Sequence, residues 1–123
     1  MKVLIVEDDK YLLDAYRLKF GKAGHEVKEA FDGREVLSIL EWWKPDVIVL
    51  DLLLPGIDGF ECLKRIRTDG RWRDIPVLAA SNLGEKADKD KALGYGANEY
   101  VVISNLSLDN LLKRTENLVT KQR

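Results

Sequence analysis

The chain has 123 residues, of which 46% are hydrophobic and 33% charged, so it can bury a core and is too apolar for a disordered protein. Its 20 basic and 21 acidic residues give a net charge of -1, which excludes the strongly basic surface typical of proteins that bind nucleic acid or anionic membranes. One cysteine and one histidine exclude an internal disulfide bond and a metal centre built from several such residues.

Five short apolar runs predict β-strands, at residues 2–6, 26–30, 47–50, 76–80 and 100–103. The first helix between them begins after the acidic residues 7–9, where an aspartate can cap its N-terminus, and extends to about Lys22. Gly24 follows at a place where glycine commonly ends a helix. The apolar residues of this helix recur at helical spacing and are Leu12, Leu13, Tyr16 and Phe20.

Four further helices continue the alternation. The apolar residues that mark the second helix are Val36, Leu37, Leu40 and Trp43. This helix is expected to end before Pro45, because a residue that precedes proline disfavours helical backbone. The remaining helices are predicted from residue 60 to about 70, over 85–95, and with apolar positions from 108 to 119, the last helix being capped by Ser107.

This strict alternation of strands and helices predicts an α/β fold, with a parallel sheet covered by helices on both faces. Right-handed crossovers leave few doubly wound strand orders, and the flavodoxin-like one is 2-1-3-4-5. No linker, repeat or low-complexity stretch divides the chain, so residues 1–123 are expected to form a single domain. No segment has the pattern of a signal peptide or a spanning helix, so the expected location is cytoplasmic.

Acidic residues follow two of the predicted strands at their carboxyl ends. Glu7 and Asp8 come after the first strand, and Asp51 comes directly after the third. In the order 2-1-3-4-5 these strands are neighbours and the ligand site lies between them, so we expect the three carboxylates to converge. Carboxylates this close raise one another's pKa unless a cation joins them, and oxygen ligands without histidine or cysteine suit Mg²⁺.

An aspartate beside Mg²⁺ can act as a nucleophile towards phosphorus and form an aspartyl phosphate. The alternative is that residues 7–9 only cap the first helix, while Asp51 only ends a strand. A dinucleotide-binding site is excluded, because an acidic triplet and not a glycine-rich turn follows the first strand.

The sequence resembles the receiver domain of two-component response regulators over nearly its whole length. The resemblance is carried by residues 5–9, 32–33, 45–59, 75–78 and 94–102. Its most specific part is the pattern D-x-x-L-P-x-x-D-G, which starts at Asp51. It implies a (βα)5 receiver fold, similar to that of single-domain chemotaxis regulators. Such a protein is not a conventional enzyme, since it catalyses only its own phosphorylation and dephosphorylation.

The resemblance also implies the roles of the acidic residues. Asp51 matches the phosphoacceptor. Asp8 matches the direct Mg²⁺ ligand, and Glu7 matches the acid that holds the water molecules of the metal. Leu53 matches the position whose backbone carbonyl reaches the metal, so its side chain is free to vary.

Two further positions match the switch of the family, and others depart from the family pattern. Ser81 matches the hydroxyl that moves onto the phosphoryl oxygens, and Tyr100 matches the aromatic residue whose rotation reports that movement. Ile103 stands where receivers carry a lysine that contacts the phosphoryl group, and Asn82 stands where a very small residue is usual. Leu83, like Leu53, flanks the phosphoryl position and, being apolar, cannot orient water.

The first helix has a second apolar stripe, formed by Tyr11, Ala15 and Leu18, although a surface helix needs only one. In receivers this side of the helix docks the histidine kinase or the histidine phosphotransfer protein. The implied partners are therefore such a phosphodonor and a downstream protein target, with no direct contact to nucleic acid or membrane. If the chain is a fragment of a longer regulator, the output would lie elsewhere in that protein.

The leading hypothesis is thus a receiver that accepts phosphate on Asp51 and passes a conformational signal to a protein partner. The second is a pseudo-receiver, a binding module whose switching is impaired because Ile103 replaces the lysine. A third hypothesis is an aspartate-dependent phosphatase of the haloacid-dehalogenase type. That chemistry needs a second aspartate two residues after the nucleophile, and Leu53 occupies this position.

Overall fold

A computed structural model describes residues 1–122 and contains five strands in one parallel sheet. The strands are β1 (Lys2–Val6), β2 (Glu26–Ala30), β3 (Val47–Leu50), β4 (Val77–Ser81) and β5 (Glu99–Val102). The helices that alternate with them are α1 (Lys10–Lys22), α2 (Gly33–Leu40), α3 (Gly59–Thr68), α4 (Lys86–Gly94) and α5 (Leu108–Gln122). The strand order is β2-β1-β3-β4-β5, which confirms the predicted doubly wound, flavodoxin-like fold.

The two faces of the sheet carry separate hydrophobic cores, because successive strand side chains point to opposite faces. Val3 and Ile5 of β1 pack with α1 and α5, whereas Leu4 and Val6 pack with α2 and α3. All four residues of β3 are buried, as expected for a central parallel strand that is covered on both sides. No helix within residues 1–122 is long and apolar enough to cross a membrane.

Both ends of α1 form as predicted. The Asp9 carboxylate accepts hydrogen bonds from the backbone N–H groups of Tyr11 and Leu12, which fixes the first turn. After the helix, Gly24 has a φ of 91°, a left-handed conformation that glycine adopts without strain. The cap at Asp9 orients the helix directly after the acidic residues, so it also orders the loop that carries them.

The second helix is shorter than predicted. It ends at Leu40, and the backbone N–H groups of Trp42 and Trp43 both donate hydrogen bonds to the Ile39 carbonyl. Trp43 is still buried, and its indole N–H donates to Glu26 at 3.1 Å. The helical spacing of Trp43 was therefore misleading, because the residue packs from the turn before Pro45 and not from the helix.

Smaller boundary differences occur around the last two strands. β4 covers Val77–Ser81 and not 76–80, since Pro76 has no N–H for the ladder. β5 ends at Val102, and Ile103 begins a short 3₁₀ turn, Ile103–Asn105. The fourth helix is one residue shorter at each end than the predicted 85–95.

Gly59 fixes the position of α3 against the end of β3. A Cβ atom at this residue would collide with the backbone of Asp51 and Leu52. The Gly59 N–H instead donates to the Leu52 carbonyl at 3.0 Å. The glycine of the D-x-x-L-P-x-x-D-G pattern thus allows the helix to begin directly against the loop that carries Asp51.

Candidate functional site

The sheet register brings the acidic residues together at the carboxyl edge. Val6 pairs with Leu50 in neighbouring strands, and the Asp51 N–H donates to the Val6 carbonyl at 3.0 Å. Glu7 and Asp51 are therefore the first residues beyond two adjacent strands. The carboxylates of Glu7, Asp8 and Asp51 each offer an oxygen atom, and these atoms all lie within 4.8 Å of one another. Glu7 and Asp51 are buried, whereas Asp8 is exposed.

The electrostatics of this acidic pocket favour a bound positive charge. Burial, followed by the charge of Asp51, raises the pKa of Glu7 to about 8. Burial also raises the pKa of Asp51, although its hydrogen bond from the Leu53 N–H, at 3.1 Å, acts in the opposite direction. Without a cation, the two carboxylates therefore retain a proton to higher pH than isolated carboxyl groups do. Within residues 1–122, none of the three carboxylates forms an ion pair with a basic side chain.

These residues fit Mg²⁺. The donor set consists of carboxylate oxygens only, which is the ligand type that Mg²⁺ prefers, and the exposed Asp8 leaves one side open to water or to a phosphate co-ligand. Glu7, Asp8 and Asp51 are the residues that would hold the ion. The side chain of Leu53 is largely exposed and contributes no ligand atom, so a role for its backbone carbonyl stays a prediction.

We expect Asp8→Asn to weaken Mg²⁺ binding at least about tenfold, because a neutral amide replaces an anionic ligand. In the parent, Mg²⁺ affinity should rise with pH until the pKa of Glu7, about 8, is passed, because metal binding displaces the proton there. Isothermal titration calorimetry measures both effects. Asp14→Asn, in an exposed ion pair on α1, is the matched control. Equal affinities of Asp8→Asn and the parent would contradict the site.

Ser81 and Tyr100 contact the same residue of the loop between β4 and α4. The Ser81 hydroxyl, fully buried at the end of β4, accepts a hydrogen bond from the Leu83 N–H at 3.3 Å. The Tyr100 side chain is 8% exposed, and its hydroxyl donates to the Leu83 carbonyl. Leu83 is therefore a shared hydrogen-bond partner of Ser81 and Tyr100. Asn82 lies between these contacts and is exposed.

Ile103 lies at the end of the sheet beside α1 and α5. It packs against the core that α1 and α5 form on this face. It also lines an apolar cavity of about 190 Å³. The other residues around this cavity are Leu12, Tyr16, Leu106, Ser107, Leu108 and Leu111. The position where the resemblance leads one to expect a lysine is thus apolar and brings no charge to the acidic pocket.

The predicted docking stripe on α1 is partly exposed. Tyr11 is 89% exposed and Leu18 is 56% exposed, while Ala15 is half-buried. Ala15 and Leu18 line a shallow groove towards α5 together with Leu108. The side chains of Tyr11 and Leu18 are therefore accessible on the surface of α1.

One residue of this region was not predicted to be part of the site. Tyr16 of α1 has the spacing of a core residue and is buried as expected. Burial, followed by the charges of Glu7 and Asp51, raises the pKa of its hydroxyl. The only signal in the sequence is a polar hydroxyl at a position that an aliphatic side chain could fill.

Comparison with protein-family models matches residues 3–116 to the response regulator receiver domain. The chain therefore belongs to the receiver domain family of two-component response regulators, which confirms the resemblance seen in the sequence.

Two curated relatives illustrate the match. The DNA-binding dual master transcriptional regulator RpaA of Synechocystis sp. is 34% identical over 120 residues, which cover 98% of this chain and 49% of that protein. The transcriptional regulatory protein AfsQ1 of Streptomyces coelicolor is 39% identical over 100 residues, which cover 81% of this chain and 43% of that protein. The chain thus spans about half the length of these relatives.

Solved structures give the same fold. The receiver domain of the Francisella response regulator 1452 superposes with a TM-score of 0.90 and 32% identity, covering 99% of this chain and 98% of that one. The chemotaxis response regulator CheY4 of Vibrio cholerae superposes with a TM-score of 0.88 and 29% identity, covering 95% of this chain and 97% of that one.

Proposed function

We propose that Asp51 accepts a phosphoryl group from the phosphohistidine of a histidine kinase or histidine phosphotransfer protein, with Mg²⁺ as cofactor. The observation that carries this proposal is the convergence of Asp51 with Glu7 and Asp8 within 4.8 Å. In the transfer, an Asp51 carboxylate oxygen bonds to phosphorus while the bond from phosphorus to the histidine nitrogen breaks. The leaving imidazole keeps the electron pair, so no oxidant or reductant is needed.

The chain's own residues prepare Asp51 for this reaction. The Leu53 N–H holds one carboxylate oxygen of Asp51, Oδ1, which leaves Oδ2 as the nucleophile. Glu7 and Asp8 would hold Mg²⁺ together with Asp51, and the Leu53 carbonyl is proposed as a further ligand. When bound, Mg²⁺ supplies positive charge to the phosphoryl oxygens.

The conformational signal would start at Ser81. A phosphoryl group brings a charge of about -2 and three strong hydrogen-bond acceptors to Asp51. If the Ser81 hydroxyl rotates towards the phosphoryl group, its hydrogen bond from the Leu83 N–H breaks. Because Tyr100 is bonded to the Leu83 carbonyl, the loop and the tyrosine would move together. A downstream protein would recognise this change.

Two leucines would determine how long the phosphoryl group persists. Leu53 is largely exposed beside Asp51, and Leu83 packs partly against the core. Neither side chain can donate or accept a hydrogen bond, so neither can position an attacking water molecule. We propose that both leucines slow hydrolysis of the aspartyl phosphate.

The phosphodonor would dock on the stripe formed by Tyr11, Ala15 and Leu18, whose exposure supports this assignment. The name of RpaA describes DNA binding, but this chain covers 49% of that protein. Because the acidic and basic residues of this chain nearly balance, we propose a protein as its direct downstream partner, without contact to nucleic acid or membrane. A cytoplasmic location stays a prediction.

Incubation with a small phosphodonor such as acetyl phosphate, with and without Mg²⁺, tests the central proposal. We expect one added phosphoryl group that requires Mg²⁺ and that hydroxylamine removes, as an acyl phosphate demands. Intact-mass measurement detects the group, and peptide mapping locates it. Absence of phosphorylation under conditions in which a known receiver is modified would contradict the proposal.

The second candidate function is the pseudo-receiver, and the apolar surroundings of Ile103 favour it. It predicts that the acidic pocket binds Mg²⁺ but that a phosphoryl analogue leaves Tyr100 where it is. Titration with beryllofluoride and Mg²⁺, followed through the ring signals of Tyr100 in NMR spectra, separates the two. A change at Tyr100 supports the switching receiver.

A further inference from the structure

The Tyr16 side chain carries an unusual polar atom. It is 2% exposed and packs in the core between α1, α5 and the sheet. Within the described part of the chain, its hydroxyl is the buried side-chain polar atom that makes no hydrogen bond. Leaving such a group unpaired destabilises a protein, and phenylalanine would fill the same volume without that cost. We therefore infer that a bound group supplies the hydrogen-bond acceptor for this hydroxyl.

The surroundings of the hydroxyl indicate what this partner is. Burial first, and then the negative charges of Glu7, Asp51 and Asp9, raise the pKa of Tyr16. The phenol therefore keeps its proton and acts as a hydrogen-bond donor beside the acidic pocket. In the structure the Tyr16 hydroxyl has no acceptor within hydrogen-bond distance.

Tyr16 also lies next to Ile103, the position where receivers carry a lysine. It lines the cavity of about 190 Å³ together with Ile103, which has no polar side-chain atom. The residues that line this cavity thus include a phenol and no basic side chain.

We propose that Tyr16 is a phosphoryl-binding residue, whose hydroxyl donates a hydrogen bond to an oxygen of the phosphoryl group on Asp51. This inference rests on the proposed phosphorylation of Asp51 and names a further residue of the same site. A phosphoryl group on Asp51 would bring three acceptor oxygens, and the unpaired phenol is a donor that can use one of them. The phenol supplies the contact that Ile103 cannot make, and it does so without adding charge to the pocket.

Tyr16→Phe tests this assignment, with beryllofluoride as the phosphoryl analogue and Mg²⁺ alone as a second ligand. We expect beryllofluoride to bind about tenfold more weakly, the typical effect of losing one hydrogen bond to a charged group. Mg²⁺ alone should bind as in the parent, and the melting temperature should stay or rise, since an unpaired hydroxyl is removed. Tyr95→Phe, at a half-exposed tyrosine outside the cavity, is the matched control and should change nothing.

A second variant separates phosphoryl binding from a structural role. Ile103→Lys should restore beryllofluoride binding in the Tyr16→Phe background, because the ammonium can replace the lost donor. Equal beryllofluoride affinity of Tyr16→Phe and the parent would overturn the assignment and leave Asp51 as phosphoacceptor. Parallel losses of beryllofluoride binding, Mg²⁺ binding and stability would also overturn it, in favour of a packing role. If the parent bound no beryllofluoride and accepted no phosphoryl group, the proposed function itself would fail.

Discussion

Asp51→Asn should abolish phosphorylation by small phosphodonors and, at the same time, make the metal-free protein more stable. The first effect follows because a neutral amide is a poor nucleophile towards phosphorus. The second follows because the substitution removes one of two buried carboxylates in contact. We expect the free energy of unfolding at pH 8 to rise by about 1 kcal/mol, the equivalent of roughly one pKa unit. Intact-mass measurement and urea unfolding check the two effects.

The stabilisation by Asp51→Asn should depend on pH in a defined direction. The pKa of Glu7 is about 8 in the folded protein and about 4.5 in an unfolded chain, so the folded state binds the proton more tightly. The parent without metal therefore loses stability as pH rises from about 4.5 to about 8. The slope should be shallower in Asp51→Asn, because the charge that helps to raise the pKa of Glu7 is gone.

Asp90→Asn, on the exposed side of α4, is the matched control for both effects. It should be phosphorylated like the parent and should leave the pH dependence of unfolding unchanged. Phosphorylation found on another residue while Asp51 stays unmodified would refute the assignment. A steeper loss of stability with pH in Asp51→Asn would refute the electrostatic account of the pocket.

Much of the fold could be predicted because it depends on local patterns. The continuous apolar run of β3 indicates a strand covered on both faces, and its position in the alternation makes it central. The cap at Asp9 is likewise a local interaction. Trp43 shows where this reasoning fails, because helical spacing cannot tell a residue in the last turn of a helix from one that packs just after it.

The acidic pocket was predictable for a related reason. Each carboxylate follows a strand, and parallel strands bring their carboxyl ends to one edge, so the topology alone places Glu7 near Asp51. The contacts of side chains between different elements were not predictable. The bond from Tyr100 to the Leu83 carbonyl and the unpaired hydroxyl of Tyr16 both depend on how helices and loops pack in three dimensions.

Ile103→Lys should enlarge the conformational response of Tyr100 to beryllofluoride. The new side chain can bury its methylene groups in the cavity of about 190 Å³ and extend its ammonium group towards Asp51. A charge-assisted hydrogen bond of this kind contributes about 1.5–3 kcal/mol, which corresponds to a shift of roughly ten- to a hundredfold towards the active state. NMR signals of the Tyr100 ring measure the populations of the two states.

The same substitution should act oppositely on the metal-free pocket. An ammonium group beside Asp51 lowers the pKa of Glu7 from about 8 and competes with Mg²⁺, so Mg²⁺ alone should bind several-fold more weakly. Ile103→Met is the matched control, because it lengthens the side chain without adding charge. Since Tyr16 already supplies one donor, the gain from Ile103→Lys should be smaller in the parent than in the Tyr16→Phe background. If Ile103→Met enlarged the Tyr100 response as much as Ile103→Lys, or if the parent already switched completely, the missing charge would not be what limits this receiver.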